Sequence, residues 1–234
     1  MRAEREHEPV GRFESARDPD PSHSGDLESL AAILPPSTLA AWRTIAPAVP
    51  PQAYLSGGTA LTAHVRHRMS RDLDFFTETP FDVDALAAAI DGIGTFAPTM
   101  VDEGTLNGLF ESTKVQFLDA STQRLLEPTT LFGGVRLASM ADIAATKLKV
   151  IQDRGALRDY FDLMVIDEHI PMEEGLRLLV EKYQPLAPAG LIANVVRGLG
   201  YLGDVEDDPS LPVPREQIES FWASRQPRLV RQAL

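Results

Sequence analysis

The sequence predicts an α+β fold, with a strand-rich first half joined to a nearly all-helical second half. Three observations carry this. Short runs rich in β-branched and aromatic residues recur between about residues 53 and 118, punctuated by turn residues. From Ser139 onward the apolar residues recur at helical spacing instead. The 234-residue chain is also long enough to bury a full core with no cysteine anywhere.

Residues 1–26 mix both charge signs with Pro, Ser and Gly and show no apolar period, so they read as a disordered lead-in. Helical spacing begins near Leu27, and a short helix over 37–46 is stopped by Pro50-Pro51. Residues 53–56 read as a strand, Gly57-Gly58 as a turn, and 59–68 as a helix with Leu61 and Val65 facing inward. A strand over 72–76 follows. Asp82 is placed as the N-cap of a helix carrying Leu86 and Ile90, and 95–100, 106–111 and 114–118 read as strands, the last two joined by a tight hairpin.

Ser139-Met140-Ala141-Asp142 has the form of a capping box and opens a helix with Ile143, Leu148 and Ile151 as its stripe. Further helices are expected over 157–168, 172–183, 191–202 and 215–230, with an acidic loop at 203–214. Trp42 and Trp222 lie on apolar helix faces and read as core residues. The expected division is a lead-in of residues 1–26, a sheet-bearing core of 27–137 and a helical subdomain of 138–234, with a cleft between the last two.

Composition excludes several chemistries. Without cysteine there is no disulfide framework, thiolate metal site or cysteine nucleophile. No apolar run is long enough for a membrane span and the N-terminal residues lack a signal-peptide core, so a cytoplasmic protein with no membrane partner is expected. A net charge of -12 means that any contact with nucleic acid comes from a local basic patch. Arg124, Arg136, Lys147, Lys149, Arg154 and Arg158 form the richest basic stretch.

The chemistry concentrates around Asp72-Leu73-Asp74. On a strand, Asp72 and Asp74 share one face while Leu73 and Phe75 point into the core. Two carboxylates held side by side call for a cation, and a divalent ion such as Mg2+ or Mn2+ is the natural one. Upstream, Ser56, Gly57 and Gly58 lead into a helix whose free N–H groups suit a phosphate. Arg68 and Arg71 lie close enough to meet phosphates as well, whereas Arg66 reads as a charge complementing a helix C-terminus. His64 and His67 lack a third ligand for a zinc site.

These residues resemble a known family. A Gly-Gly turn followed by Asp-x-Asp on a strand is the signature of the nucleotidyltransferase superfamily that includes DNA polymerase β. The wording Gly57-Gly58-Thr59-Ala60-Leu61, then His67-Arg68-Met69-Ser70-Arg71-Asp72-Leu73-Asp74, is similar to its AbiEii/AbiGii-type toxin branch. Glu103-Gly104-Thr105 and Lys114-Val115-Gln116-Phe117 resemble the branch's hairpin and second motif, the stretch from Asp142 to Leu148 its third, and that from Arg158 to Leu163 its fourth.

The resemblance implies a polymerase β-like core, with a mixed sheet and helices, followed by a helical subdomain. It implies a metal-dependent enzyme that transfers a nucleoside monophosphate from a nucleoside triphosphate to RNA, with the tRNA 3′ end as leading acceptor. Asp72 and Asp74 would hold the metal, and Ser56, Gly57, Gly58, Arg68, Arg71 and Lys147 would hold the triphosphate. Asp162 would either activate the hydroxyl or orient Lys147, with Asp159 as second choice, and Lys114 and Arg158 would line the cleft. The partner would be a separately encoded antitoxin.

One departure stands out. Where the superfamily usually carries a third carboxylate, this chain has Gln116. It then uses Asp162 instead, relies on two carboxylates, or is an inactive nucleotide- or RNA-binding protein on the same scaffold. An acceptor hydroxyl on a protein is a further alternative.

Overall fold

The computed structural model describes residues 27–233, so the expected lead-in lies outside the described residues. A 3-10 turn, Leu27–Leu30, stands where helical spacing begins. Helix α1, Pro36–Ile45, starts with proline at its first turn, where the missing N–H costs nothing. Strand β1, Ala53–Ser56, runs directly into α2, Gly57–Val65, so the glycine pair is the first turn of the helix rather than a separate turn before it. Arg66 adopts a left-handed conformation (φ 52°) and ends α2 two residues before the expected boundary.

Strand β2, Leu73–Thr77, alternates as predicted, with Leu73, Phe75 and Thr77 buried and Asp74 and Phe76 half-buried. Helix α3, Val83–Asp91, is capped by Asp82, whose carboxylate accepts the Ala85 N–H at 2.9 Å. A meander follows: β3, Phe96–Asp102; β4, Thr105–Phe110; and β5, Thr113–Asp119. A second hairpin, β6 (Thr130–Phe132) and β7 (Val135–Leu137), was not expected from the sequence. Its strands are only three residues long, and its turn is Gly133-Gly134, both at positive φ.

The seven strands form one mixed sheet in the order β3-β4-β5-β2-β1-β7-β6. At its centre β2 runs antiparallel to β1 and parallel to β5, while β1 runs parallel to β7.

The second half is helical: α4, Met140–Arg154; α5, Leu157–Ile166; α6, Met172–Tyr183; α7, Pro188–Leu199; and α8, Arg215–Ala233. Ser139 caps α4 as read, accepting the Asp142 N–H at 3.0 Å. Helix α4 is the hub, packing on α2 beside the sheet and on α5, α6 and α7. One apolar cluster runs through both halves, and Trp42 and Trp222 are fully buried within it. Asp142 also makes a buried ion pair with Lys182 at 2.7 Å, which fixes α6 to the start of α4.

Candidate active site

Strand β2 places Asp74 beside α2. Gly57, the first residue of α2, has φ +68°, a conformation that L side chains rarely adopt. A Cβ there would lie 2.5 Å from Asp74 Oδ2, so glycine at 57 keeps the carboxylate's flank clear. A Cβ on Gly58 would lie 2.7 Å from Arg68 Nη2. At both glycines the space of a Cβ is thus taken by a side chain of the site itself, Asp74 at Gly57 and Arg68 at Gly58.

The loop from Arg66 to Asp72 is pinned to α2 by two threonines. Thr59 Oγ1 donates to the Asp72 carbonyl at 2.5 Å and sits 2.8 Å from Ser70 Oγ. Thr62 Oγ1 lies 2.9 Å from the carbonyls of both Gly58 and Arg68. These positioning residues carry no sequence signal, because a helix threonine looks the same whether or not a loop folds over it.

Asp74 lies on the half-buried face of β2 and Asp72 immediately precedes that strand, which starts one residue later than expected, and among the described residues no hydrogen bond or ion pair closes on either carboxylate. Burial, and then the charge of Asp72, push the Asp74 carboxyl up to about 6, against the pull of Lys147, Lys114 and Arg158. Two unpaired carboxylates in mutual repulsion beside a cleared glycine flank fit a divalent cation. Among the described residues no group of three or more His, Asp or Glu side chains is poised around one point. The pair therefore fits Mg2+, which takes one or two carboxylates and completes its shell with water and phosphate oxygens.

The second wall is a buried ion cluster centred on Asp162, on α5. Arg68 donates to it through Nε at 2.6 Å and Nη2 at 2.8 Å, His67 through Nε2 at 2.8 Å, and Lys147 through Nζ at 2.7 Å. Four donors fill the four acceptor positions of a carboxylate. Burial would raise the Asp162 pKa, but Lys147, His67 and Arg68 outweigh it and hold the carboxyl well below its ordinary value. Asp162 has no free lone pair for a hydroxyl proton, and its geometry is that of a group orienting Lys147 and Arg68. The surface pair with Arg158 that its helix spacing allows is absent from this arrangement, and Arg158 is exposed.

Lys147 also donates to Asp159 Oδ1 at 2.6 Å, while Asp159 Oδ2 accepts the Ala156 N–H at 2.9 Å. Burial opposes the lysine charge, but Asp162 and Asp159 overcome it and hold the ammonium above its ordinary pKa. Two of its three N–H groups are engaged, leaving one for a ligand.

His67 stacks on Phe161, with ring centroids 5.8 Å apart. Its Nδ1 is buried with no partner, and burial holds its pKa below the ordinary value in spite of Asp162. The ring is therefore neutral, with its proton on Nε2. Its part in the cluster has no sequence signal, because a histidine before a strand looks the same whether it serves as ligand, catalyst or brace.

Of the other predicted residues, Ser56 is buried at the end of β1 and makes no side-chain cap to α2. Arg71 and Lys114 are exposed. Gln116 sits in register with Asp74 on the neighbouring strand, where the superfamily's third carboxylate is expected, and Asp119 lies at the far end of β5, in register with Thr77. Of the basic stretch of 124–158, the Arg154 side chain lies outside the described residues, and most of the others are engaged with carboxylates or buried. Arg124 pairs with Glu181, Arg136 with Glu78 and Lys149 with Asp153, and Lys147 is buried. Among the described residues no helix is long and apolar enough to cross a membrane.

The mixed sheet, the glycine-led helix and the carboxylate strand define a nucleotidyltransferase-like fold. MenT4, a nucleotidyltransferase toxin from Mycobacterium tuberculosis H37Rv, shares it with a TM-score of 0.55 at 17% identity, covering 81% of this chain and 80% of that one. JHP933 from Helicobacter pylori superposes with a TM-score of 0.50 at 18% identity, covering 86% and 94%. Residues 41–189 match the family described as nucleotidyl transferase AbiEii toxin, type IV toxin-antitoxin system, and the chain belongs to that family. It is thus a nucleotidyltransferase of the AbiEii toxin kind. An uncharacterized protein of Aquifex aeolicus (strain VF5) is 30% identical over 174 residues, covering 72% of this chain and 80% of that protein.

Proposed function

We propose that this nucleotidyltransferase moves a nucleoside monophosphate from a nucleoside triphosphate to the 3′ hydroxyl of an RNA, with the tRNA 3′ end as acceptor. The observation that carries this reading is the unpaired Asp72–Asp74 face, opened by Gly57 at the N-terminus of α2. Divalent metals are typical of nucleotidyltransferase families, and Asp72 and Asp74 are the residues that would hold one. When bound, Mg2+ supplies charge neutralisation at the phosphates.

The residues of the chain do the rest. The N–H groups of the first turn of α2 bind the β- and γ-phosphates. Lys147 turns its remaining N–H toward the leaving phosphates, held in place by Asp162 and Asp159, while exposed Arg158, Lys114 and Arg71 add cationic charge at the rim. A bond forms between the acceptor oxygen and the α-phosphorus as the bond from that phosphorus to the bridging oxygen breaks. The hydroxyl proton passes to solvent and pyrophosphate departs. A separately encoded antitoxin is the partner expected for a toxin of this family, and the cytoplasm is where its substrates meet.

Incubating the protein with Mg2+ and each labelled nucleoside triphosphate, with and without tRNA, tests the proposal. Label on tRNA that is lost in Asp72→Ala supports it. Label on protein in place of RNA moves the acceptor to a protein hydroxyl. No transfer and no triphosphate binding under any condition overturns it.

A further inference from the structure

We propose that the open face of β5, β4 and β3 beside Asp74 receives the terminal nucleobase of the acceptor, read by the carboxamides of Gln116 and Asn107. This rests on the nucleotidyl transfer proposed above and adds the acceptor's docking site.

A single row of side chains crosses the sheet. The register pairs Ser56 with Asp74, Asp74 with Gln116, Gln116 with Asn107, and Asn107 with Met100. Directly paired residues share a face, so the whole row lies on the carboxylate face. Strands about 4.8 Å apart put Gln116 about 5 Å and Asn107 about 10 Å from Asp74 along the row. The opposite face is closed, with Leu106, Phe110, Val115 and Phe117 buried and α3 packed on β3 and β4. On the carboxylate face Met100 is 54% exposed and Leu109 42%.

Two features of this face point to a base. Asn107 Oδ1 is a buried acceptor with no donor, and its Nδ2 reaches only Met100 Sδ, at 3.7 Å. Such an acceptor lacks an N–H that the protein does not supply, and a base seated on this face can supply one once a neighbouring side chain moves aside. Beside it, Met100 and Leu109 offer apolar area to a flat ring, the combination of polar edge and stacking surface by which unpaired bases are held.

The direction of transfer assigns this base to the acceptor. Gly57 and the start of α2 lie on the β1 side of Asp74, and the phosphates of the leaving group belong there. Attacking and leaving oxygens stand roughly in line, so the acceptor hydroxyl comes from the other side of β2, where β5 lies. Gln116 is then the first side chain that it meets. A neutral carboxamide donates and accepts there without adding a third negative charge. Asn107 Oδ1, farther along the row, takes the exocyclic amino group of adenine or cytosine.

The test uses the full-length protein with four RNA oligonucleotides identical except for a 3′-terminal A, C, G or U. Wild type is expected to favour A or C over U by roughly tenfold in kcat/KM. Asn107→Ala should abolish that preference and leave KM for the nucleoside triphosphate unchanged. Leu109→Ala, at an exposed position, should raise the acceptor KM for all four ends alike. Preference among the four ends that persists in Asn107→Ala overturns the proposal. So does a variant whose preference changes among the triphosphates instead, which would give the face to the incoming nucleotide. If wild type labels no RNA, the transfer reading fails by itself, and fluorescence-anisotropy binding of the same four oligonucleotides decides the site. Equal affinity for all four ends in wild type and variant then overturns it.

Discussion

Asp162 grips Arg68 with both carboxylate oxygens, Oδ1 to Nε at 2.6 Å and Oδ2 to Nη2 at 2.8 Å, across 94 residues of sequence. The same carboxylate holds Lys147 and His67, so one side chain ties the loop before β2 to α4 and α5.

Removing that carboxylate leaves two buried cations without their shared partner. Asp162→Ala should destabilise the protein by about 3–5 kcal/mol, the range for breaking a buried ion pair from one side. Urea unfolding measures it. A loss below about 1 kcal/mol would mean that water replaces the carboxylate and that the cluster is not a brace.

Gly57→Ala tests the cleared flank of Asp74. The added methyl must adopt φ +68° and meets Asp74 Oδ2 at 2.5 Å, so the carboxylate shifts. Displacement on the order of 1 Å costs about 10²-fold in rate. Nucleotidyl transfer should fall by about that factor, with a stability cost of only about 1–2 kcal/mol for the left-handed backbone. Unchanged activity would remove this glycine from the site.

Chelation should abolish transfer, and added Mg2+ should restore it. Calorimetry without triphosphate should show weak Mg2+ binding, because two carboxylates supply only part of the ion's shell. Asp72→Asn and Asp74→Asn should each remove the binding. Full activity in excess EDTA would exclude the metal.

The two buried histidines should lower stability as pH falls below about 6.5, the ordinary histidine value. Burial depresses the folded pKa of both His64 and His67. Between the depressed values and about 6.5 the unfolded chain binds protons that the folded one does not, so unfolding is favoured as pH falls through that window. Asp74, raised to about 6 in the folded state, holds its proton there more tightly than in the unfolded chain and opposes this slope, so the histidine effect is read in Asp74→Asn, whose denaturant midpoints at pH 8, 7, 6 and 5 should fall in that order. His64→Gln keeps a donor for the Ala138 carbonyl, which His64 Nε2 meets at 2.8 Å, and should flatten the slope. Midpoints of Asp74→Asn that stay level from pH 8 to 5 would mean that neither ring is neutral in the folded state.

Much of this could be read in advance because it depends on local pattern. Alternation placed Leu73 and Phe75 in the core and the carboxylates outside it, and the caps at Asp82 and Ser139 opened the helices they were read to open. Long-range pairing was not legible. Nothing local says that Arg68 turns away from solvent toward Asp162, or that Asp142 faces Lys182, since those partners lie 94 and 40 residues away. The short strands β6 and β7 are not legible because three residues are too few to show a period, although Gly133-Gly134 marks their turn.

The span between Arg68 and Asp162 also orders events in time. A growing chain that has not yet reached α5 has its carboxylate strand and glycine turn but lacks the residue that sets Lys147 and Arg68 in place. Contacts between residues so far apart in sequence close a long loop, at a cost in chain entropy that the contacts must repay. The assembled cation cluster is therefore a property of the completed chain, and a chain that ends before α5 would lack it.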